Sequence, residues 1–167
     1  AVAAFFGYLA ADFLSGIVHW AGDRWGTEET FMLGPTIVKP FREHHVDEKA
    51  ITRHDYIETN GANCMVAVPV AFMALCTPLH IEGWQAFALF TMVSLGSMIF
   101  WVMMTNQIHK WSHLDEDTMP PVLKVLQKLH LILPPAHHQV HHTAPFDTYY
   151  CITTGWLNWP LAKLGFY

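Results

Sequence analysis

Twelve of the 167 residues are histidine, and many of them recur at helical spacing. His19 and Asp23 are four residues apart, as are His109 and His113, His137 and His141, and His138 and His142. His138 and His141 are three apart. Residues three or four apart share a helix face, so each pair can hold one metal ion from a single rigid element. His44 and His45 are adjacent and point apart on a helix, which suits two different ions. With His54, these positions offer ten imidazoles and one carboxylate as candidate ligands. Imidazole suits Zn, Cu, Fe and Ni alike. One zinc takes three or four ligands, whereas ten are enough for two octahedral ions. H-E-x-x-H is absent, which argues against the common zinc proteases. E-x-x-H is absent too, which argues against carboxylate di-iron sites of the ferritin type. A histidine-rich pair of non-haem iron ions fits best.

Further residues are candidates for supporting such a site. Asp12 and Ser15 continue the stripe of His19 and Asp23. A carboxylate in an apolar helix must face the bundle interior, so Asp12 is expected to orient His19 by hydrogen bonding. Asn60 and Asn106 are expected to bond to the ligands in the same way. Arg42, Arg53 and Lys110 are candidates for a lipid head group. The three cysteines are scattered and form no C-x-x-C, so neither a zinc ribbon nor a disulfide framework is expected.

Ligands of this kind need rigid helices to deliver them, and the composition supplies apolar ones. Hydrophobic residues make up 52% of the chain and charged residues only 14%, against about 25% charged in a typical soluble protein. Residues 1–22 carry one charge, Asp12, while 64–81 and 83–105 carry none, and Glu82 lies in the short link between them. These three stretches are expected to span a bilayer, which needs about 20 helical residues. All nine Lys and Arg residues fall in 23–63 and 106–167. Both segments are therefore expected on the cytoplasmic side. That topology gathers the candidate ligands at one membrane face. It leaves His80 on the other, and His130 lies in an amphipathic stretch suited to the membrane surface. The expected fold is an all-α, integral-membrane bundle of about three spans. A cytoplasmic helical cap carries the two-metal site, and the whole forms one domain over 1–167. The net charge of -5, with no basic tail, gives no sign of nucleic-acid binding. The chain opens inside an apolar run at Ala1, as a piece of a longer protein would, so any upstream helix or targeting signal would not be visible in it.

The strings SGIVHWAGDRWG (15–26), PFREHH (40–45), ITRHDYIETNGANC (51–64), TNQIHKWSH (105–113), HHQVHH (137–142) and YCITTGWLNWPL (150–161) occur in this order. Together they resemble the plasmanylethanolamine desaturases, a family of CarF-like lipid desaturases, over nearly the whole chain. The resemblance implies two iron ions, O2 as co-substrate and a membrane phospholipid as substrate. It implies a vinyl-ether double bond placed in the 1-O-alkyl chain of an ether phospholipid, which makes a plasmalogen. The alternative is an acyl-lipid desaturase or hydroxylase on the same metal core. The chain has no H-P-G-G haem-binding string, so a separate donor of cytochrome b5 or ferredoxin type is expected. The expected location is the inner membrane in a bacterium, or the endoplasmic reticulum in a eukaryote.

Overall fold

The long apolar runs form long helices, and the rest of the chain folds as short helices and turns around one end of them. The computed structural model describes residues 1–167. In chain order the elements are α1 (Val2–Arg24), a π-helical turn (Gly34–Val38), α2 (Lys39–Val46), α3 (Ala50–Arg53), α4 (Tyr56–Leu75), α5 (Gln85–Ser112), α6 (Pro121–Lys128), α7 (Pro135–His138) and α8 (Asn158–Lys163). There is no strand.

α5 packs against both α1 and α4. The Ser97 hydroxyl donates to the Ala4 carbonyl at 2.7 Å, the Tyr8 and Trp101 rings lie 4.2 Å apart, and His19 and His109 lie 5.8 Å apart. Partners rise together along both helices, so α1 and α5 run parallel. α4 runs the other way: Asn106 donates to the Thr59 carbonyl at 3.0 Å and Asn63 to the Met103 carbonyl at 3.2 Å. Gly7 allows α1 its close approach to α5, because a Cβ there would lie 2.0 Å from the Ser94 carbonyl oxygen. Small residues at such crossings bring helix backbones together.

α1 and α5 are long and apolar enough to cross a membrane. The middle stretch differs from the expected 64–81. α4 begins at Tyr56, where the Asp55 carboxylate accepts from the Ile57 and Glu58 amides and Glu58 closes a capping box. It ends at Leu75, just before Thr77 and Pro78, because a proline disfavours helix in the residue before it. Its first turns are therefore polar. α5 also runs past the expected end at 105, so His109 sits on a continuous helix. Beyond α5, a core of Ile108, Met119, Leu123, Ile132, Leu133 and Ile152 fixes the C-terminal segments against it.

Gly7→Ala is expected to destabilise the protein by about 1–3 kcal/mol, the usual cost of overpacking. Gly61→Ala on α4, where nothing lies within 4 Å of an added Cβ, is expected to be neutral or slightly stabilising. Thermal unfolding in detergent measures both, and equal midpoints would contradict the close α1–α5 contact.

Candidate metal centre

The histidines meet at the end of the bundle where α1 and α5 finish. One group joins His44 of α2, His109 of α5, His113 just beyond it, His138 of α7, and His142. A second joins His19 of α1, His44, His45 and His141. Within each group the nearest donor atoms all lie within 4.8 Å of one another, and His44 belongs to both. Asp23 completes the second group: its Oδ2 is 2.9 Å from His45 Nε2 and 3.5 Å from the Nε2 atoms of His19 and His141. Every histidine in the two groups except His45 is buried.

In the first group the Nε2 atoms form a triangle: His109 to His138 at 2.8 Å, His138 to His113 at 3.0 Å and His113 to His109 at 3.1 Å. His142 Nε2 lies 3.0 Å from His138 Nε2. A neutral imidazole has one N–H, so a closed triangle of nitrogens cannot be satisfied by their own protons if the other ring nitrogens keep theirs. A shared cation resolves the crowding. With metal–nitrogen bonds of about 2.1 Å, adjacent ligands lie about 3.0 Å apart around an octahedral ion and about 3.4 Å apart around a tetrahedral one. The triangle matches the octahedral edge. In the second group the Nε2 atoms of His19, His44 and His141 are buried and have no hydrogen-bond partner. The donor set therefore fits two metal ions.

Backbone carbonyls set the tautomers. His19 Nδ1 faces the Tyr150 carbonyl at 3.2 Å, His141 Nδ1 the Thr148 carbonyl at 2.8 Å, and His44 Nδ1 the Phe41 carbonyl. A carbonyl only accepts, so each Nδ1 carries the proton and each Nε2 presents a bare lone pair. The Phe41 ring stacks on His19 at 4.4 Å and holds its plane. Burial, followed by neighbouring imidazoles, pushes His44 and His138 well below the ordinary histidine range. Burial lowers His113 to about 4, with help from the charge of Lys49, and lowers His142 to about 3. These rings are neutral near pH 7, as metal ligands must be.

Asp12 does not reach His19, contrary to the expectation from their spacing. Its Oδ1 accepts from the Thr154 and Gly155 amides at 2.7 and 3.0 Å, and its Oδ2 from the Leu157 amide at 3.2 Å. The Ser15 hydroxyl accepts from the Ile152 amide at 3.0 Å, and Asn158 bonds both backbone groups of Cys151. A buried carboxylate needs such donors, and the loop after Tyr150 supplies them. Asp12 thus acts on His19 and His141 at one remove, by fixing the strap whose carbonyls hold them.

Other expected site residues lie elsewhere. His54 is in neither group, and its carbonyl accepts from Lys110. His137 is also outside them and packs on Tyr149 at 5.0 Å, because α7 ends at His138 and the chain turns before His141. Asn60 donates to Tyr56 and Gln107, and Asn106 to Thr59, so both tie α4 to α5 instead of bonding to histidines. Arg42 is taken by the Gly26 carbonyl at 2.8 Å and Arg53 by Asp47. Neither these two nor Lys110 is free of internal partners. His80 and His130 are exposed and outside both groups. The carbonyls of Phe41, Thr148 and Tyr150 were not foreseeable, since a main-chain acceptor leaves no mark in residue type. Glu48, whose Oε1 lies 3.6 Å from His142 Nδ1, had no distinguishing spacing either.

A narrow cleft leads to the site between α1, α4 and α5 on one side and the segment from the π-helical turn to α3 on the other. Leu14, Val18, Val66 and Val102 line it on the helices, and His44 and His109 lie in its wall. Two histidines of the first group thus open onto a cleft with apolar side chains from all three long helices.

Residues 8–167 match the family model described as the lipid desaturase domain. A plasmanylethanolamine desaturase of Myxococcus xanthus is 59% identical over 96% of this chain and 55% of its own length. Plasmanylethanolamine desaturase 1 of Mus musculus is 48% identical over 96% of this chain and 59% of its own. The chloroplastic fatty acid desaturase 4 of Arabidopsis thaliana is 32% identical over 95% of this chain and 46% of its own. The chain thus spans about half the length of these relatives. No solved structure matches it.

Asp12→Ala leaves two buried amides and one half-buried amide without an acceptor, at a cost of about 1–3 kcal/mol for each buried one. Amides 154, 155 and 157 are expected to exchange hydrogen faster in this variant, while the midsection of α5 stays protected. Unchanged protection at the three amides would contradict the clamp.

Proposed function

The chain belongs to the lipid desaturase domain family, and from that membership we propose that it desaturates an ether phospholipid in a membrane. The proposed product carries a vinyl-ether double bond in its 1-O-alkyl chain. The observation that carries this reading is the meeting of the apolar cleft with His44 and His109, at the edge of two groups of converging imidazoles. In the proposal, His19, His44, His45, His109, His113, His138, His141, His142 and Asp23 hold two iron ions. Residues 1–167 act as one catalytic domain. α4 is a third span beside α1 and α5, and the metal-bearing segments lie on the cytoplasmic side, where all nine Lys and Arg residues fall.

When bound, the iron pair would supply the reduction of O2 to two waters, using two electrons from a separate donor protein, two protons from solvent and two hydrogen atoms from adjacent carbons of the chain. The protein's own work is placement. Leu14, Val18, Val66 and Val102 surround an alkyl chain and exclude water from it. The carbonyls of Phe41, Thr148 and Tyr150 keep three imidazoles in one tautomer and orientation. Asp12 and Ser15 hold that strap in register with α1.

The two relatives named for plasmanylethanolamine exceed the fatty acid desaturase in identity, which favours an ether-linked chain. The fatty acid desaturase nevertheless keeps an acyl-lipid substrate as the second reading. Acid-labile vinyl ethers among the products support the first, and unsaturated acyl chains the second.

Full-length protein expressed in cells supplied with an alkyl-ether lipid is expected to yield plasmalogen. His109→Ala or His142→Ala is expected to abolish product and lower bound iron, while His80→Ala leaves both unchanged. Full activity in His109→Ala would contradict the assignment. Ala62 of α4 lines the cleft and belongs to neither histidine group. Ala62→Phe is expected to lower kcat/KM at least tenfold, about 1.4 kcal/mol, with iron content unchanged. An unaltered kcat/KM would remove the cleft from the substrate path.

A further inference from the structure

The first histidine group lies between two openings that share no residue. The cleft reaches it through His44 and His109. A second, more open depression reaches it through His113 and His138. Glu48 and Lys49 after α2, Ser112 at the end of α5, and Ala136 and Gln139 around α7 form most of the remaining wall. Along α5 the cleft touches Val102, Thr105, Asn106 and His109, and the depression touches Ser112, His113 and Leu114. The cleft therefore comes up between the long helices, and the depression comes in from beyond the end of α5. Both walls meet at the rings: His109 Nε2 lies 2.8 Å from His138 Nε2 and 3.1 Å from His113 Nε2.

The two openings differ in character. Apolar side chains of all three long helices line the cleft, whereas the wall of the depression is mainly polar and charged. The Glu48 and Lys49 side chains are 39% and 47% exposed, so the depression faces water. Glu48 Oε1 lies 3.6 Å from His142 Nδ1. Lys49 Nζ donates to the His113 carbonyl and to Asp115, both at 2.7 Å. An ammonium has three N–H groups, so one of Lys49 remains for another acceptor. His113 and His138 are 6% and 2% exposed, so the floor is narrow.

We propose that this depression is the aqueous door of the metal centre, through which protons enter and product water leaves while a lipid occupies the cleft. This rests on the substrate reading above and adds a second route to the same site. An alkyl chain whose reacting carbons lie at His44 and His109 fills the cleft behind them. Each turnover must still take in O2 and two protons and send out two waters. Charged and polar species do not cross a space packed with hydrocarbon at low cost, so the filled cleft is closed to protons and water. The depression supplies what the cleft lacks. A water held inside a protein needs two to four polar partners. The Glu48 carboxylate, the spare Lys49 N–H and the Gln139 amide provide them beside His113 and His138. The narrow floor keeps bulk water off the reacting carbons, which lie on the other side of the rings.

Azide binding to the oxidised, iron-loaded, full-length protein tests this. Azide is small, charged and carried by water, and its binding to ferric iron gives a visible absorption band. Without a reductant the lipid is bound and not turned over. Stopped-flow absorption measures the rate at which the band grows, with and without a saturating alkyl-ether lipid of ethanolamine type. The wild-type rates with and without lipid are expected to be similar. Ala136 is exposed on the rim of the depression. Ala136→Trp is expected to slow azide binding to the lipid-bound protein at least tenfold, about 1.4 kcal/mol in the barrier. Its iron content and its affinity for the lipid are expected to stay unchanged. Lipid that slows azide binding to the wild type by a like factor overturns the proposal, because the cleft would then be the sole route. An unaltered rate in iron-replete Ala136→Trp also overturns it. A lipid that fails to bind at all overturns the substrate reading of the cleft, and the proposal with it.

Discussion

Imidazole nitrogens brought within 3 Å of one another, away from water, need a proton or a cation between them. Here four rings, His109, His113, His138 and His142, meet at 2.8–3.1 Å, and four more converge beside them, with the Nε2 atoms of His19, His44 and His141 lacking any hydrogen-bond partner. Unpaired buried polar atoms cost free energy, so the cluster is stable only with something positive inside it. Burial also keeps rings such as His44 and His138 neutral, so the positive charge cannot come from those rings. The rest of the fold meets this constraint. α5 delivers His109 and His113, α1 delivers His19 and Asp23, α2 delivers His44 and His45, and the chain around α7 delivers His138, His141 and His142.

Only part of this support is regular secondary structure. The strap 148–158 has little helix, yet it holds two of the rings through its carbonyls. Its stability comes from polar side chains that long helices would not ordinarily bury. Asp12 accepts three amides of the strap, Ser15 one, and Thr105 meets Thr153 at 2.8 Å. The polar residues of α1 and α5 thus serve as cross-links between the long helices and the segment wrapped on them. Asn60, Asn63 and Asn106 do the same between α4 and α5.

Much of the arrangement was legible in the chain. The apolar runs around α1 and α5 were plain, and helical spacing anticipated that His109 would fall with His113, His138 with His142, and His19 with Asp23. Spacing misled at His137, because the helix assumed beneath it ends one residue later and turns His141 toward another group. It misled at Asp12 as well. A lone carboxylate in an apolar run signals a buried partner, but its partners were amides more than 140 residues away that carry no side-chain code. The start of α4 was readable from Asp55 and Glu58 as a capping box. The apolar run beginning near Cys64 drew the boundary inward instead, since hydropathy marks what a membrane accepts and not where a helix begins.

The central claim is that these imidazoles hold two irons in octahedral, nitrogen-rich sites. X-ray absorption at the iron edge, with iron counted per chain on purified full-length protein, addresses it most directly. The account expects two irons per chain and a first shell of mainly nitrogen at about 2.1 Å, with multiple-scattering features of imidazole. One metal per chain, or a first shell dominated by sulfur or by carboxylate oxygen, would contradict it.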